Sequence, residues 1–202
     1  MSQRLRRERD LAEREQRIIA TARELAEAEG WDAVTTRRLA ALIEYSQPVL
    51  YSHFSGKDAI MRAAALEGFA EFAAQISAAV DGGVRAVAEA YLAFADDKPA
   101  LYDAMFTLGT DLPFGSDDTP QALRDGFDAL VAVLTPVADG QNPAILAEVF
   151  WGALHGLVTL DRGGRQPAGY RAERLAVLVA RFDRMPAQVR ESRPGTVDKL
   201  AE

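Results

Sequence analysis

The sequence contains no cysteine, which excludes disulfides and thiolate metal sites and makes a reducing cytoplasm the expected setting. Histidine is almost as scarce. His53 and His155 lie in different segments, so a His-based metal site within one chain is not expected. The alternating apolar pattern of a strand is nearly absent. The basic opening "MSQRLRRERD" is followed by no apolar run of signal-peptide character, and no stretch reads as the roughly 18 apolar residues of a membrane span. There is no Gly-rich phosphate loop after a strand and no HExxH helix. The acidic pairs Asp96-Asp97 and Asp117-Asp118 sit in loop-like contexts and read as solvated turns. These absences argue against an enzyme: no catalytic residue, metal or cofactor is expected.

What is present is charge, unevenly spread. The formal charge is −7, an unpromising balance for a nucleic-acid binder. Residues 1–60 are nevertheless neutral, with ten basic and ten acidic side chains, and the excess lies wholly in residues 61–202. Arg4, Arg6, Arg7 and Arg9 cluster as a basic arm (residues 1–13) ahead of the first expected helix. A basic arm on a neutral module, joined to an acidic body, suits a protein that touches phosphate with one end only.

Helical periodicity dominates the rest. From Arg14 to Glu29, Ile18, Ile19, Ala22, Leu25 and Ala26 recur at helical spacing, and Gly30 ends the run. Thr35-Thr36 caps a short helix carrying Leu39, Ala40, Leu42 and Ile43. Ser46 caps the next, with Pro48 in its first turn, where a missing N–H removes nothing; Leu50 and Phe54 face inward. Ser55-Gly-Lys-Asp58 has capping-box spacing and opens a long helix to about Val80. Further helices are expected at Val84–Ala95, Pro99–Thr107, Pro120–Val137, Pro143–Arg162 and Gly169–Arg184. Gly109–Pro120 is the longest non-helical stretch, and residues 191–202 read as a disordered tail.

Two short helices joined by a three- or four-residue turn and preceded by a longer one match a helix-turn-helix DNA reader, whose second short helix enters the major groove. The outward positions are then Gln47, Pro48, Val49, Tyr51, Ser52 and His53. Gln pairs two-fold with an adenine edge, and Val or Pro packs on a thymine methyl. Tyr51 and His53 suit phosphate oxygens, as do Thr36 and Arg37 on the preceding helix. Lys57 adds a cation where helix-end N–H groups favour phosphate.

Gly30-Trp-x-x-x-Thr-Thr36 followed by "RRLAALIEYSQPVLYSHFSGKDAI" resembles the DNA-binding region of TetR-family repressors over about residues 14–62. The shared features are Thr35-Thr36, Leu39-Ala40, Tyr51-Ser-His-Phe54 and Lys57. One departure stands out: the family's turn is usually Ala-Gly-Val, and here it is Ile43-Glu44-Tyr45. Glycine accepts positive φ readily, whereas Glu there is strained. Either the turn takes a different geometry or Tyr45 packs where Val normally does.

The resemblance implies an all-α chain. An N-terminal three-helix helix-turn-helix domain (1–62, reader about 36–55) precedes a larger helical ligand-binding and dimerisation domain (63–190). It implies a homodimer bound to double-stranded DNA at a near-palindromic operator, responding to a small apolar or amphipathic ligand. "FWGALHGLVTLDRGGR" (150–165) resembles the Trp…His-Gly signature of one TetR-like branch. The family's last two long helices form a four-helix dimer interface, here Pro143–Arg162 and Gly169–Arg184. Gly152 and Gly156 would leave a flat stripe, and Leu154, Leu157, Val158, Leu175, Leu178, Val179 and Phe182 would supply apolar contact. Aromatic and Met residues gather as pocket candidates: Tyr91, Phe94, Tyr102, Met105, Phe106, Phe114 and Phe127. Trp151 and His155, one turn apart, join them, with His155 as a polar ligand contact. A helical sensor or adaptor with a weakened DNA module is the alternative reading.

Overall fold

The computed structural model describes residues 3–183 apart from Ala168. Among these, every regular element is helical: α1 Gln3–Glu29, α2 Thr36–Leu42, α3 Gln47–His53, α4 Lys57–Ala79, α5 Gly83–Asp97, α6 Pro99–Phe106, α7 Gln121–Leu134, α8 Pro143–Arg162 and α9 Arg171–Asp183. The expected end of the last helix at Arg184 and the expected tail lie outside the described residues.

The N-terminal unit folds as its pattern dictates, with one correction at the start. Helix α1 begins at Gln3, so the arginine cluster lies on the helix and not ahead of it. Ile18, Ala22 and Leu25 bury one face, and Gly30 stops the helix at φ 83°. Trp31 and Val34 plug the small core, and the Trp31 indole N–H donates to the Ala100 carbonyl at 2.7 Å. Thr35 caps α2, its hydroxyl accepting from the Arg38 amide at 3.2 Å. Leu39, Ile43 and Leu50 are fully enclosed, each stabilising the unit by roughly 1.5–3 kcal/mol, while Leu42 stays exposed.

Two expected side-chain caps are not made. Ser46 occupies the cap of α3, but only its carbonyl serves, accepting from the Val49 and Leu50 amides. The capping box at Ser55 is corrected: α4 starts at Lys57 behind Gly56, which leaves Ser55 outside the first turn. The turn between α2 and α3 keeps a tight geometry despite its residues. Glu44 adopts φ 59°, and the Tyr45 amide bonds the Ala40 carbonyl at 2.9 Å, which closes the end of α2 as a glycine would. Tyr45 packs half-buried on the core beneath Arg17.

Helix α4 is the spine, packing on α1, α5, α6 and α7. Gly68 permits the approach of α6, because a Cβ there would lie 2.7 Å from Met105 Sδ. Ion pairs clip the N-terminal unit to the bundle: Arg23 bridges Glu67 and Glu71, and Lys98 meets Glu71 at 2.6 Å. The carboxylate of Glu27 accepts from the Ala100 and Leu101 amides at the start of α6. Helix α7 ends at Leu134, three residues short of expectation. Pro136 lacks an N–H, and the chain continues as a 3-10 turn, Thr135–Val137.

Helix α8 overturns the expectation that no segment is long and apolar enough to cross a membrane. By length and composition alone it qualifies, with a mean hydropathy of 1.4, and only 28% of the qualifying window is buried in the chain. Its Ala, Gly and Thr positions raise the average without forming an uninterrupted apolar run.

Candidate nucleic-acid interface and the bundle behind it

The corner formed by α2 and α3 presents a polar edge to solvent. Gln47, Pro48, Tyr51, Ser52 and Arg37 are exposed, and Thr36, Val49 and Lys57 are half-buried. Thr36 Oγ1 and the Tyr51 hydroxyl lie 3.3 Å apart, so two residues expected at phosphates sit side by side, one on each helix. The Ser52 hydroxyl donates to the Val49 carbonyl at 2.6 Å, which leaves its lone pairs outward. Lys57 stands in the first turn of α4, beside this edge. Arg38, between the two helices, is held by a two-fold ion pair with Glu29 and is not part of the open surface.

His53 does not take its expected outward place. Its side chain is 3% exposed, and its Nδ1 lies 3.3 Å from Glu15 Oε1 on α1. It occupies the last turn of a seven-residue helix, where the chain turns toward Phe54 and the core. The imidazole therefore braces α3 against α1.

A cavity of about 580 Å³ lies between α4, α6, α7, α8 and the segment 107–120. Of the expected pocket residues, Phe106, Phe127 and Trp151 line it, together with Phe114. Phe114 is half exposed and stacks on Trp151 with ring centroids 6.3 Å apart. Phe69 and Phe72 of α4 complete the aromatic walls, with Phe69 edge-on to both Phe106 and Phe114. Arg124, Asp128 and Glu148 supply the charged groups of the lining.

Tyr91, Phe94 and Tyr102 are corrected from pocket walls to core: each is at most 1% exposed, and both Tyr91 and Phe94 pack edge-on to Phe72. Met105, 2% exposed, borders a smaller cavity of about 280 Å³ on the far side of Phe106 and Phe114. His155 lines neither cavity. Its Nδ1 lies 2.7 Å from the Tyr102 hydroxyl, which in turn lies 2.9 Å from that of Tyr91. Burial lowers the His155 pKa, pushes Tyr102 up to about 12 and raises Tyr91 further. This is a neutral hydrogen-bonded chain inside the bundle. Sequence reasoning missed Phe69 and Phe72, whose only signal was two phenylalanines one turn apart on the helix that follows the reader.

The expected dimer residues divide by helical phase. Leu154, Val158, Leu175, Val179 and Phe182 are buried within the chain, where Phe182 meets Phe150 at 4.8 Å, so they are corrected to intrachain core. Gly152 is exposed, and Gly156, Leu157 and Leu178 are half-buried; Gly152 also borders the cavity. The open face of α8 consists of Ile145, Val149, Gly152, Gly156 and Leu160, with Val177 exposed on α9. A Cβ at either glycine would meet nothing within 4 Å. The missed signal was an uncharged stripe at four-three-four-four spacing.

Two family models match the chain. Residues 18–64 match the bacterial regulatory proteins of the tetR family, and residues 84–182 match the tetracyclin repressor-like C-terminal domain. An uncharacterised HTH-type transcriptional regulator of Mycobacterium tuberculosis is 30% identical over 155 residues, covering 73% of this chain and 69% of that one. Among solved structures, a protein with unknown function from Rhodococcus sp. RHA1 superposes with a TM-score of 0.71 at 25% identity, covering 86% of this chain and 95% of that one. A bacterial regulatory protein in the tetR family from Rhodococcus RHA1 shares the fold, with a TM-score of 0.58 at 20% identity over 83% and 96% of the two chains. The α2–α3 edge, its placement ahead of the α4 spine and these matches agree: the chain belongs to the TetR family of DNA-binding transcriptional regulators.

Proposed function

We propose that the protein is a ligand-responsive repressor that binds a near-palindromic operator as a homodimer in the cytoplasm, without catalysing a reaction. The observation that carries this reading is the course of α4. One continuous helix begins with Lys57 beside the reader and supplies Phe69 and Phe72 to the cavity wall. A ligand that reshapes the cavity therefore acts on the helix from which the reader hangs.

Residues 1–62 form the DNA-binding domain in this reading, and residues 63–190 form the ligand-binding and dimerisation domain. Gln47 reads a base edge, Pro48 and Val49 pack on thymine methyls, and Thr36, Arg37, Tyr51, Ser52 and Lys57 hold phosphates. The cavity favours an apolar or amphipathic ligand, because its aromatic lining offers few polar partners. A second linkage supports the coupling. Arg62, five residues after Lys57, donates from Nε to the Thr110 carbonyl at 3.0 Å and from Nη2 to the Asp111 carbonyl at 2.9 Å. Those carbonyls belong to the segment that carries Phe114, so cavity wall and spine are tied directly. Ligand binding weakens DNA affinity by the ligand's preference for the non-binding arrangement, and by no more.

The uncharged stripe on α8 supports pairing of two copies, since an exposed apolar face of this length is normally covered. The deciding experiment is selection of the purified protein against random duplex DNA at near-physiological salt. Enrichment of an inverted repeat is the expected result. A folded protein that enriches no sequence would sink the reading.

A further inference from the structure

Helix α1 is anchored along only part of its length. Near its C-terminal end Glu27 holds the amides of α6, and Arg23 bridges two glutamates of α4. Further back, Gln16 meets Glu67 at 3.0 Å, Arg17 lies over Tyr45 in the reader's turn, and Glu15 meets His53 at the end of α3. The helix thus runs from the ligand-binding bundle to the reader. It does not stop there: residues 3–14 continue in the same direction, every one of them exposed. At 1.5 Å per residue this adds roughly 18 Å of helix beyond the reader.

The composition of one face changes where the helix leaves the body. Ile18, Ala22 and Leu25 form the buried stripe. Continued toward the N-terminus at the same three- and four-residue spacing, that stripe reads Leu11 between Arg14, Arg7 and Arg4. An apolar face turned to the protein core becomes a basic face with no protein to meet. Arg4 has one internal partner, the exposed Glu8 at 2.8 Å, a pairing that water and salt weaken. Asp10 and Glu13 fall on other sides of the helix, as do Arg6 and Arg9.

We propose that this projecting segment is a second DNA-binding surface: a helical arm whose Arg4, Arg7 and Arg14 grip backbone phosphates flanking the half-site read by α3. It rests on the DNA-binding reading above and adds phosphate contacts without base recognition. The rigid helix widens the footprint by a fixed distance, where a flexible tail would give a diffuse one.

The test compares two equally charged variants of the full chain on the enriched operator duplex and on a mixed-sequence duplex of equal length. One is R4Q/R7Q/R14Q, on the stripe. The other is R6Q/R9Q/R17Q, off the stripe. Each phosphate contact contributes about 0.9 to the slope of log K against log salt. The stripe variant is expected to lose roughly 2–3 of that slope on both duplexes, with its base preference unchanged and its hydroxyl-radical footprint shortened at the outer edges. The off-stripe variant is expected to lose less than about 1. Equal losses in the two variants, or none in either, would overturn the arm while leaving the reader intact. A wild-type protein whose duplex binding ignores salt would sink the DNA-binding reading and the arm together. Circular dichroism of both variants separates lost contacts from lost helix.

Discussion

The DNA-reading corner and the bundle behind it are built on opposite principles. The reader takes its groups from about twenty consecutive residues and exposes them on two short helices fixed by local signals: Thr35 as cap, Pro48 in the first turn, Leu39 and Leu50 as anchors. The cavity draws on α4, α6, α7, α8 and the segment between α6 and α7, so residues more than eighty positions apart share one wall. The first kind of site is written along the chain. The second exists only once the helices have packed.

The sharpest way to test that contrast is to disturb α8, whose two faces serve different purposes. Val149→Glu together with Gly156→Arg places charge on the open stripe and touches no core residue. The pair is expected to give a folded monomer by analytical ultracentrifugation and to reduce operator affinity by roughly 10²–10⁴-fold, the gain that two linked readers provide. A dimer that persists would show that the stripe is not the interface. Leu154→Ala, on the buried face, is expected to do the reverse. It should cost about 2–5 kcal/mol in urea unfolding, with dimerisation retained in the fraction that stays folded.

The same contrast explains what the sequence revealed. All nine helices were foreseen because Gly30, Gly82-Gly83, Pro99, Pro120 and Pro143 punctuate them and their apolar periods are strong. The outward face of α3 was readable because burial of Leu50 fixes the phase of a seven-residue helix. His53 escaped because its partner, Glu15, lies 38 residues earlier and no local rule links them. Tyr91, Tyr102 and His155 were assigned to a pocket on aromaticity alone, yet they satisfy one another's hydrogen bonds inside the core. On α8, apolarity marked both faces equally, and only the packed neighbours α5, α7 and α9 decide which is covered.

Within the reader, two substitutions should separate base reading from phosphate anchoring. Gln47→Ala is expected to cost about 1–3 kcal/mol on the preferred operator and nothing on one altered at the contacted base pair. Lys57→Ala is expected to weaken all sequences alike and to reduce the salt slope by about 1. Affinity measured across an operator panel distinguishes them. A uniform loss in both variants would remove Gln47 from base readout.

Glu44 allows a smaller test on the same corner. It holds φ 59° in a turn where the family usually carries glycine, and a non-glycine residue there costs roughly 1–2 kcal/mol. Because the Tyr45 amide already closes the turn on Ala40, Glu44→Gly should leave the geometry alone. A gain of about 1 kcal/mol in unfolding free energy is expected, reduced by the extra freedom glycine brings to the unfolded chain, with operator affinity unchanged. A shift in operator preference would mean that the side chain, not the backbone, sets the angle between α2 and α3.

The smallest effect is expected from pH, and it should come from the bundle. Burial depresses the His155 pKa below its ordinary 6.5, so the folded protein resists a proton that the unfolded chain accepts. Above pH 6.5 neither state is charged and the group contributes nothing. As pH falls below 6.5, stability drops, and it levels off once the folded imidazole also titrates. Glu71 is depressed too: burial pushes it up, but Lys98 and Arg23 together outweigh that, so its contribution is lost only as pH falls below about 4.5. The two windows do not overlap. Urea unfolding between pH 7.5 and 5.5 should therefore show a decline in the wild type that His155→Gln removes, with His53 and Glu71 present in both proteins. An equal decline in the two would assign the pH dependence to another group and leave the Tyr91–Tyr102–His155 chain a purely geometric brace.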